Sequence, residues 1–255
     1  MNLDGAVSLV TGASRRLGRE IAATLARHGS SIAVHYGRSG DRAAETAAEL
    51  RGLGVVAEPL GADLTRAAEI DLLFAQIGER FGGLDLLVNS AASFERGGFE
   101  EIGAADWDDV QALNLRAPFL CMQRAASLMR RRPRPEDAPA AMVNVADLSG
   151  LLAWGDQAHH GASKAALLHL TRLAARDLAP QVRVNAVVPG PILPPPGMSV
   201  DDPAWRATIE RLPLGRAGEG REVGEAVAFL ATSDFVTGAT LLIDGGEHLF
   251  GAGHH

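Results

Sequence analysis

The stretch Val7-Ser8-Leu9-Val10-Thr11-Gly12-Ala13-Ser14-Arg15-Arg16-Leu17-Gly18 constrains this chain more than any other. An apolar run breaks into a glycine-containing turn, which leads directly into Glu20-Ile21-Ala22-Ala23-Thr24-Leu25-Ala26, with apolar residues at helical spacing. Strand, glycine turn and helix, in that order, bring backbone N–H groups and the positive end of a helix dipole to one point. A nucleotide's phosphates can sit there. Gly12 permits the turn without a Cβ clash, and Gly18 lets the helix lie close to the sheet. Gly12, Ser14, Arg15, Arg16, Leu17 and Gly18 are the first candidate cofactor contacts.

This turn resembles the T-G-x-x-x-G-x-G turn of short-chain dehydrogenase/reductases, with Arg16 in place of the middle glycine. T-G-A-x-R-L-G-type turns are similar to those of the pteridine reductases within that family. The resemblance implies a doubly wound α/β fold of Rossmann type, a three-layer sandwich around a mainly parallel sheet of seven strands. A chain of 255 residues suits one such domain spanning 1–255, and 47% hydrophobic with 22% charged residues is a globular composition. A formal charge of −7 argues against a nucleic-acid partner. Cys121 is the only cysteine, which excludes an internal disulfide and suits a reducing compartment. With no signal-like segment and no apolar stretch of membrane-spanning length, a cytoplasmic protein that avoids membranes is expected.

Ser31-Ile32-Ala33-Val34-His35-Tyr36 reads as the second strand, and no acid closes it to bind a ribose 2′-hydroxyl. Arg38 and Arg15 instead offer two guanidinium forks to a 2′-phosphate, and Ser39 adds a hydroxyl, so NADPH/NADP is the expected cofactor. His35, Tyr36, Arg38 and Ser39 also resemble the matching pteridine reductase stretch. After a strand at 55–60, the Asp63-Leu64 pair resembles the family's adenine contact; Asp63 equally suits capping a helix that starts near Arg66. Residues 84–89 form an apolar fourth strand, and Asn89, Ser90 and Ala91 resemble the small-residue turn that approaches the cofactor. Phe94 lies where pteridine reductases place an aromatic that stacks on the pterin. Trp107 to Arg132 reads as one long helix, carrying Asn114 among apolar neighbours. The family's matching asparagine helps hold a water; the plain alternative is a buried amide satisfied by backbone. The charged, proline-broken run 130–137 reads as a surface loop.

A fifth strand over 141–146 leads to Asp147, and a helix opens near His159-His160-Gly161-Ala162-Ser163-Lys164. This region resembles the family's Tyr-x-x-x-Lys signature. There the tyrosine protonates a carbonyl oxygen, while the lysine holds the ribose. Lys164 fits its slot, and Asp147 matches the pteridine reductases, where most of the family has serine. The tyrosine is missing. His160 stands in its place, and Tyr36 is the only tyrosine in the chain. A like charge on Lys164 at about 4 Å would repel a charged imidazole by about 4 kcal/mol, which an ionised Asp147 could offset. Three roles stay open for His160: replacement acid, polarising group in a reaction protonated by another route, or a substitution that leaves a nucleotide-binding protein without turnover. His159 lies off the Lys164 face.

The sixth strand, 182–188, ends in Pro189-Gly190-Pro191-Ile192, similar to the family's nicotinamide-side loop, with Pro189, Gly190 and Ile192 as cofactor contacts. Residues 191–215 match the family's mobile substrate lid, with Trp205 a candidate lining residue; the alternative is a surface excursion packed by Trp205. A helix over 223–231 and a strand near 237–244 complete the sheet, and family members use them to form homotetramers. The tail 251–255 reads as flexible, with no metal assigned to its histidines. The expectation is therefore an NADPH-dependent reductase of a C=O or C=N bond in a small-molecule substrate, closest to pteridine reductases. Asp147, His160, Lys164 and Asn114 are the catalytic candidates; Arg16, Phe94, Asp147 and Trp205 face substrate. The rival from another class is a non-catalytic NADPH-binding sensor or scaffold.

Overall fold

Leu9 and Val10 are neighbours in sequence and fully buried on opposite faces of a sheet, each in a different apolar core. Leu87 and Val88, and Met142 and Val143, divide in the same way. Strands covered on both faces must be apolar throughout rather than alternating, which is how these segments read. In the computed structural model, which describes residues 1–132, 138–195 and 197–250, seven strands lie in the order β3-β2-β1-β4-β5-β6-β7. They are β1 (Val7–Val10), β2 (Ser31–Tyr36), β3 (Ala57–Gly61), β4 (Leu86–Asn89), β5 (Ala140–Val145), β6 (Val182–Pro189) and β7 (Thr240–Ile243). Every pairing is parallel. Pro59, which cannot donate to a ladder, sits in the edge strand β3.

Helices α1 (Arg16–Arg27), α2 (Gly40–Arg51), α3 (Ala67–Phe81), α4 (Ala104–Gln111), α5 (Ala117–Arg131), α6 (Ala158–Leu178), α7 (Pro203–Glu210) and α8 (Gly220–Thr232) complete the fold. One core is built with α1, α2 and α8, and the other with α3, α5 and α6. Strand order reverses between β1 and β4, so the crevice beyond their carboxyl ends is where this class of sheet binds ligands. No helix among the described residues is long and apolar enough to cross a membrane. The tail 251–255 and part of the 130–137 loop lie outside the described residues.

The long helix expected over 107–132 is interrupted. A π-turn, Ala112–Arg116, separates α4 from α5. The cause is Pro118: it has no N–H to give the Asn114 carbonyl, and its ring would collide with that carbonyl in a regular helix. One extra residue in the turn relieves the clash and turns Asn114 inward, where it is 1% exposed.

Two buried side chains fasten the glycine turn to the sheet. The Thr11 hydroxyl accepts the amides of Ser90 and Ala91 at 2.9 and 3.0 Å, locking the turn after β4 beside it. His35 Nδ1 accepts the Gly12 amide at 3.0 Å, and Nε2 lies 3.0 Å from the Ala62 carbonyl, to which it donates. His35, expected at the cofactor, is thus committed on both nitrogens. Burial pushes it down to about 4, with the Ala62 hydrogen bond opposing, so it is neutral at pH 7. A folded-state value below the unfolded one means stability is intact above about 6.5 and is lost as pH falls toward about 4. Relative to His35→Gln, the wild type should lose about 3 kcal/mol of unfolding free energy across that window, measured by urea denaturation at pH 7 and pH 4. Equal pH slopes would show that His35 carries no such load.

Candidate functional site

At the β1–α1 turn, Gly12 has φ +69°, and a Cβ there would lie 3.0 Å from Ala91 Cα. A Cβ on Gly18 would lie 2.4 Å from the Gly12 carbonyl oxygen, so the helix can start where it does only without a side chain. Ser14 is buried, while Arg15 and Arg16 are exposed at the rim. Arg16 takes φ +51°, and its guanidinium donates to the Pro194 carbonyl at 2.6 Å, tying the turn to the segment expected as a lid. Arg38 is exposed after β2 and lies within electrostatic reach of Asp63. No side-chain hydrogen bond engages Arg15 or Arg38 among the described residues, which leaves both guanidinium groups available to an anion. Tyr36 packs against Gly61 and Gly40 and Ser39 precedes α2, while Leu64 is a core residue.

Asp63 does not cap α3, which corrects the capping expectation. That helix begins at Ala67 with Arg66 at its cap, and Asp63 Oδ1 instead accepts the Thr65 amide and hydroxyl at 3.0 and 2.7 Å. Those hydrogen bonds, chiefly the hydroxyl, hold its carboxyl below the ordinary range. An Asp followed two residues later by Thr closes its own turn before a helix has begun.

The residues expected to do chemistry do converge. His160 lies in the first turn of α6 and is 2% exposed, with Nε2 facing Asp147 Oδ2 at 3.9 Å. Nδ1 lies 3.1 Å from the Ser93 carbonyl and 3.3 Å from Asn114 Nδ2. Asn114 holds the Ser93 backbone from both sides, accepting its amide at 2.9 Å and donating to its carbonyl at 3.0 Å. It is therefore both satisfied by backbone and in contact with the candidate acid. Phe94 meets the imidazole edge-on, with centroids 4.9 Å apart and planes at 76°, and the Arg96 guanidinium lies 5.8 Å from the Phe94 centroid.

Burial works to raise Asp147, but contacts with His160 and Ser149 outweigh it and leave its carboxyl below the ordinary range. Its Oδ1 accepts the Ser149 amide at 2.8 Å in the short 3-10 turn Leu148–Gly150. At 3.9 Å the contact with His160 is electrostatic, too long to be a hydrogen bond. An ionised carboxylate thus faces Nε2, while Nδ1 has a carbonyl within hydrogen-bond reach. His159 is equally buried, and its backbone carbonyl accepts from the Gln111 side chain at 2.9 Å.

Lys164 is buried, and its Nζ donates to the Val145 carbonyl at 2.9 Å. Burial pushes it down to about 8, opposed by Asp147. The charge that acts on it is that of Asp147. Asn89 turns away from the crevice into a buried ladder, donating to Asn144 at 2.8 Å, which in turn donates to Thr171 at 2.9 Å. That ladder joins β4, β5 and α6, and only the paired asparagines at strand ends hinted at it. Pro189 ends β6, the Gly190 amide donates to Ile243 at 3.0 Å, and Ile192 is buried in the core. Trp205, on α7, is 8% exposed, so the segment packs down upon it.

The family model described as enoyl-(acyl carrier protein) reductase matches residues 12–248. The 3-oxoacyl-[acyl-carrier-protein] reductase FabG of Staphylococcus epidermidis is 34% identical over 245 residues, 95% of this chain and 98% of that protein. A blue fluorescent protein from a metagenomic library, solved in complex with NADPH, is 34% identical. It superposes with a TM-score of 0.86 over 96% of this chain and 99% of that one. FolM alternative dihydrofolate reductase 1 from Brucella canis, solved with NADP, is 33% identical at a TM-score of 0.87, covering 97% and 96%. With this fold, this site and these relatives, the chain belongs to the short-chain dehydrogenase/reductase family of oxidoreductases.

Proposed function

We propose that the protein is an NADPH-dependent reductase of a C=O or C=N bond, with a pterin-like ring as substrate and His160 as the proton donor. The observation that carries this is the placement of His160 Nε2 opposite an ionised Asp147, with Lys164 on the same helix face. The cradle without side chains at Gly12 and Gly18 suits a pyrophosphate, and Arg15 with Arg38 suits a 2′-phosphate. NADPH, when bound, supplies a hydride to the electrophilic carbon. His160 passes the Nε2 proton to the oxygen or nitrogen that gains the electron pair, and Asp147 stabilises the charged imidazole until transfer. Lys164 and Asn114 hold the strand end and the Ser93 turn that fix this geometry. A pterin-like ring is supported by Arg16, Phe94 and Asp147 in the positions where the sequence resembles pteridine reductases, and by the name of the Brucella canis neighbour. The 3-oxoacyl activity named for the Staphylococcus epidermidis relative makes an acyl ketone the competing substrate. A homotetramer belongs to the same proposal, supported by the exposed Phe229 on α8 and Phe235 just after it.

A non-catalytic nucleotide-binding protein is the second reading, and one observation favours it. Nε2 of His160 is sealed from solvent and has no hydrogen-bond partner among the described residues. The atoms that cover that nitrogen have to move before a substrate atom can reach it.

Turnover separates the two. With NADPH absorbance followed against dihydropterin and 3-oxoacyl thioester substrates, the wild type should turn over, and His160→Ala should lose about 100-fold or more of kcat. Activity confined to His160→Tyr would leave only the nucleotide-binding protein. Because Lys164 gives up its charge near pH 8, kcat/KM should fall as pH rises through that value. In Lys164→Arg, which stays charged, the fall should move to higher pH; an unmoved limb removes Lys164 from the pH dependence. Arg38→Asp should raise the Kd for NADPH about tenfold or more and leave NADH nearly unchanged, by calorimetric titration. Equal weakening of both would remove the 2′-phosphate assignment.

A further inference from the structure

The segment between β6 and α7 is held at its ends and hardly between them. Ile192 and Trp205 are each 8% exposed, and no described residue from 193 to 204 is buried. Most of its hydrogen bonds close on the segment itself. The Met198 amide donates to the Pro195 carbonyl at 3.0 Å, and the Asp202 and Asp201 amides donate to the Ser199 carbonyl and hydroxyl, both at 3.2 Å. Asp201 and Asp202 also bond Arg206 and Ala204 of α7. Among the described residues, one hydrogen bond of 193–202 goes to a part of the chain other than this segment and α7. It runs from the Arg16 guanidinium to the Pro194 carbonyl, at 2.6 Å. An exposed stretch with a single crossing bond opens at little more than the cost of that bond.

The other end of that bond is an unusual place for an arginine. Arg16 opens α1 with φ +51°, one of two non-glycine residues with positive φ among the described residues. Glycine takes this left-handed conformation freely, whereas a residue with a Cβ takes it at a cost. The cost is met at the β1–α1 turn, where Gly12 and Gly18 leave the backbone bare of side chains. Arg16 thus belongs to that turn by its main chain and to the segment after β6 by its side chain.

We infer that Arg16 is a positioning residue that straps the segment after β6 to the β1–α1 turn, so that a nucleotide seated on the turn also steadies the segment. Phosphates that accept the turn's amides restrict its backbone, and the guanidinium then reaches Pro194 from a fixed base. The segment gains order without touching the phosphates itself. The link to nucleotide rests on the reading of the β1–α1 turn as a cofactor site; the strap does not.

Amide hydrogen exchange, read by mass spectrometry on peptides that cover 197–202, tests both parts. Arg16→Gly removes the guanidinium and suits the φ of the turn; Arg16→Lys restores one cationic donor. Without nucleotide, Arg16→Gly should raise exchange in these peptides about fivefold over the wild type, the effect of one lost hydrogen bond from a charged donor. Peptides from β1 and β5 should stay unchanged, and Arg16→Lys should fall between the two proteins. Equal exchange in wild type and Arg16→Gly overturns the strap. With saturating NADP+, the wild-type segment should slow by about a further fivefold, and Arg16→Gly should show no such slowing. Slowing of the same size in both proteins, or in neither, overturns the link to nucleotide. A wild type that binds NADP+ without turnover removes the reductase reading alone. One that does not bind NADP+ removes the cofactor reading and the link together, while the nucleotide-free comparison still decides the strap.

Discussion

The rest of the structure depends on a close approach between two stretches of backbone. At Gly18 a single added carbon would sit 2.4 Å from the Gly12 carbonyl, so α1 reaches its seat against β1 only because nothing projects there. From that seat follow the direction of the helix dipole, the place of the turn beside Ala91, and the crevice between β1 and β4. Thr11 and His35 hold the turn from below with four hydrogen bonds to neighbouring strands and loops. Polar atoms buried this deeply are costly to leave unpaired, so the turn is held as a rigid platform.

Electrostatics on the far side of the crevice work as a unit. Asp147 is the hub, with a backbone amide on one oxygen and an imidazole edge near the other. Lys164 supplies a buried positive charge on the same helix as His160, and its own burial is partly offset by Asp147. No member of this set is stable in its charged form alone at such depth; each is tolerable because the others are present. The resemblance implies a tyrosine at the position of His160; an imidazole differs from a phenol in that its protonated form adds a positive charge for the surrounding carboxylate to balance.

Side chains from separate segments meet around the site. Phe94 meets the imidazole edge-on, Arg96 lies near the Phe94 ring, and Arg16 joins the glycine turn to Pro194. The buried Trp205 and the Asp202 side chain, which accepts the Ala204 amide at 2.9 Å, keep α7 formed.

Sequence alone determined what depends on period, spacing and local chemistry. Strands buried on both faces announced themselves as unbroken apolar runs, the glycine turn announced the first crossover, and the offset from His160 to Lys164 placed both on one face of α6. Asp147 near His160 was an expectation of the resemblance to pteridine reductases, and the two lie 3.9 Å apart. What only the tertiary structure decided are events in which one segment's cost is met by another. Pro118 forced a π-turn that points Asn114 at Ser93 and His160, although the apolar period alone read as one straight helix. Asp63 spent its oxygen on Thr65, and Lys164 turned to the Val145 carbonyl. Sequence patterns report which face a residue occupies; the partner waiting on that face comes from another strand or helix, and burial decides how strongly the two charges act on each other.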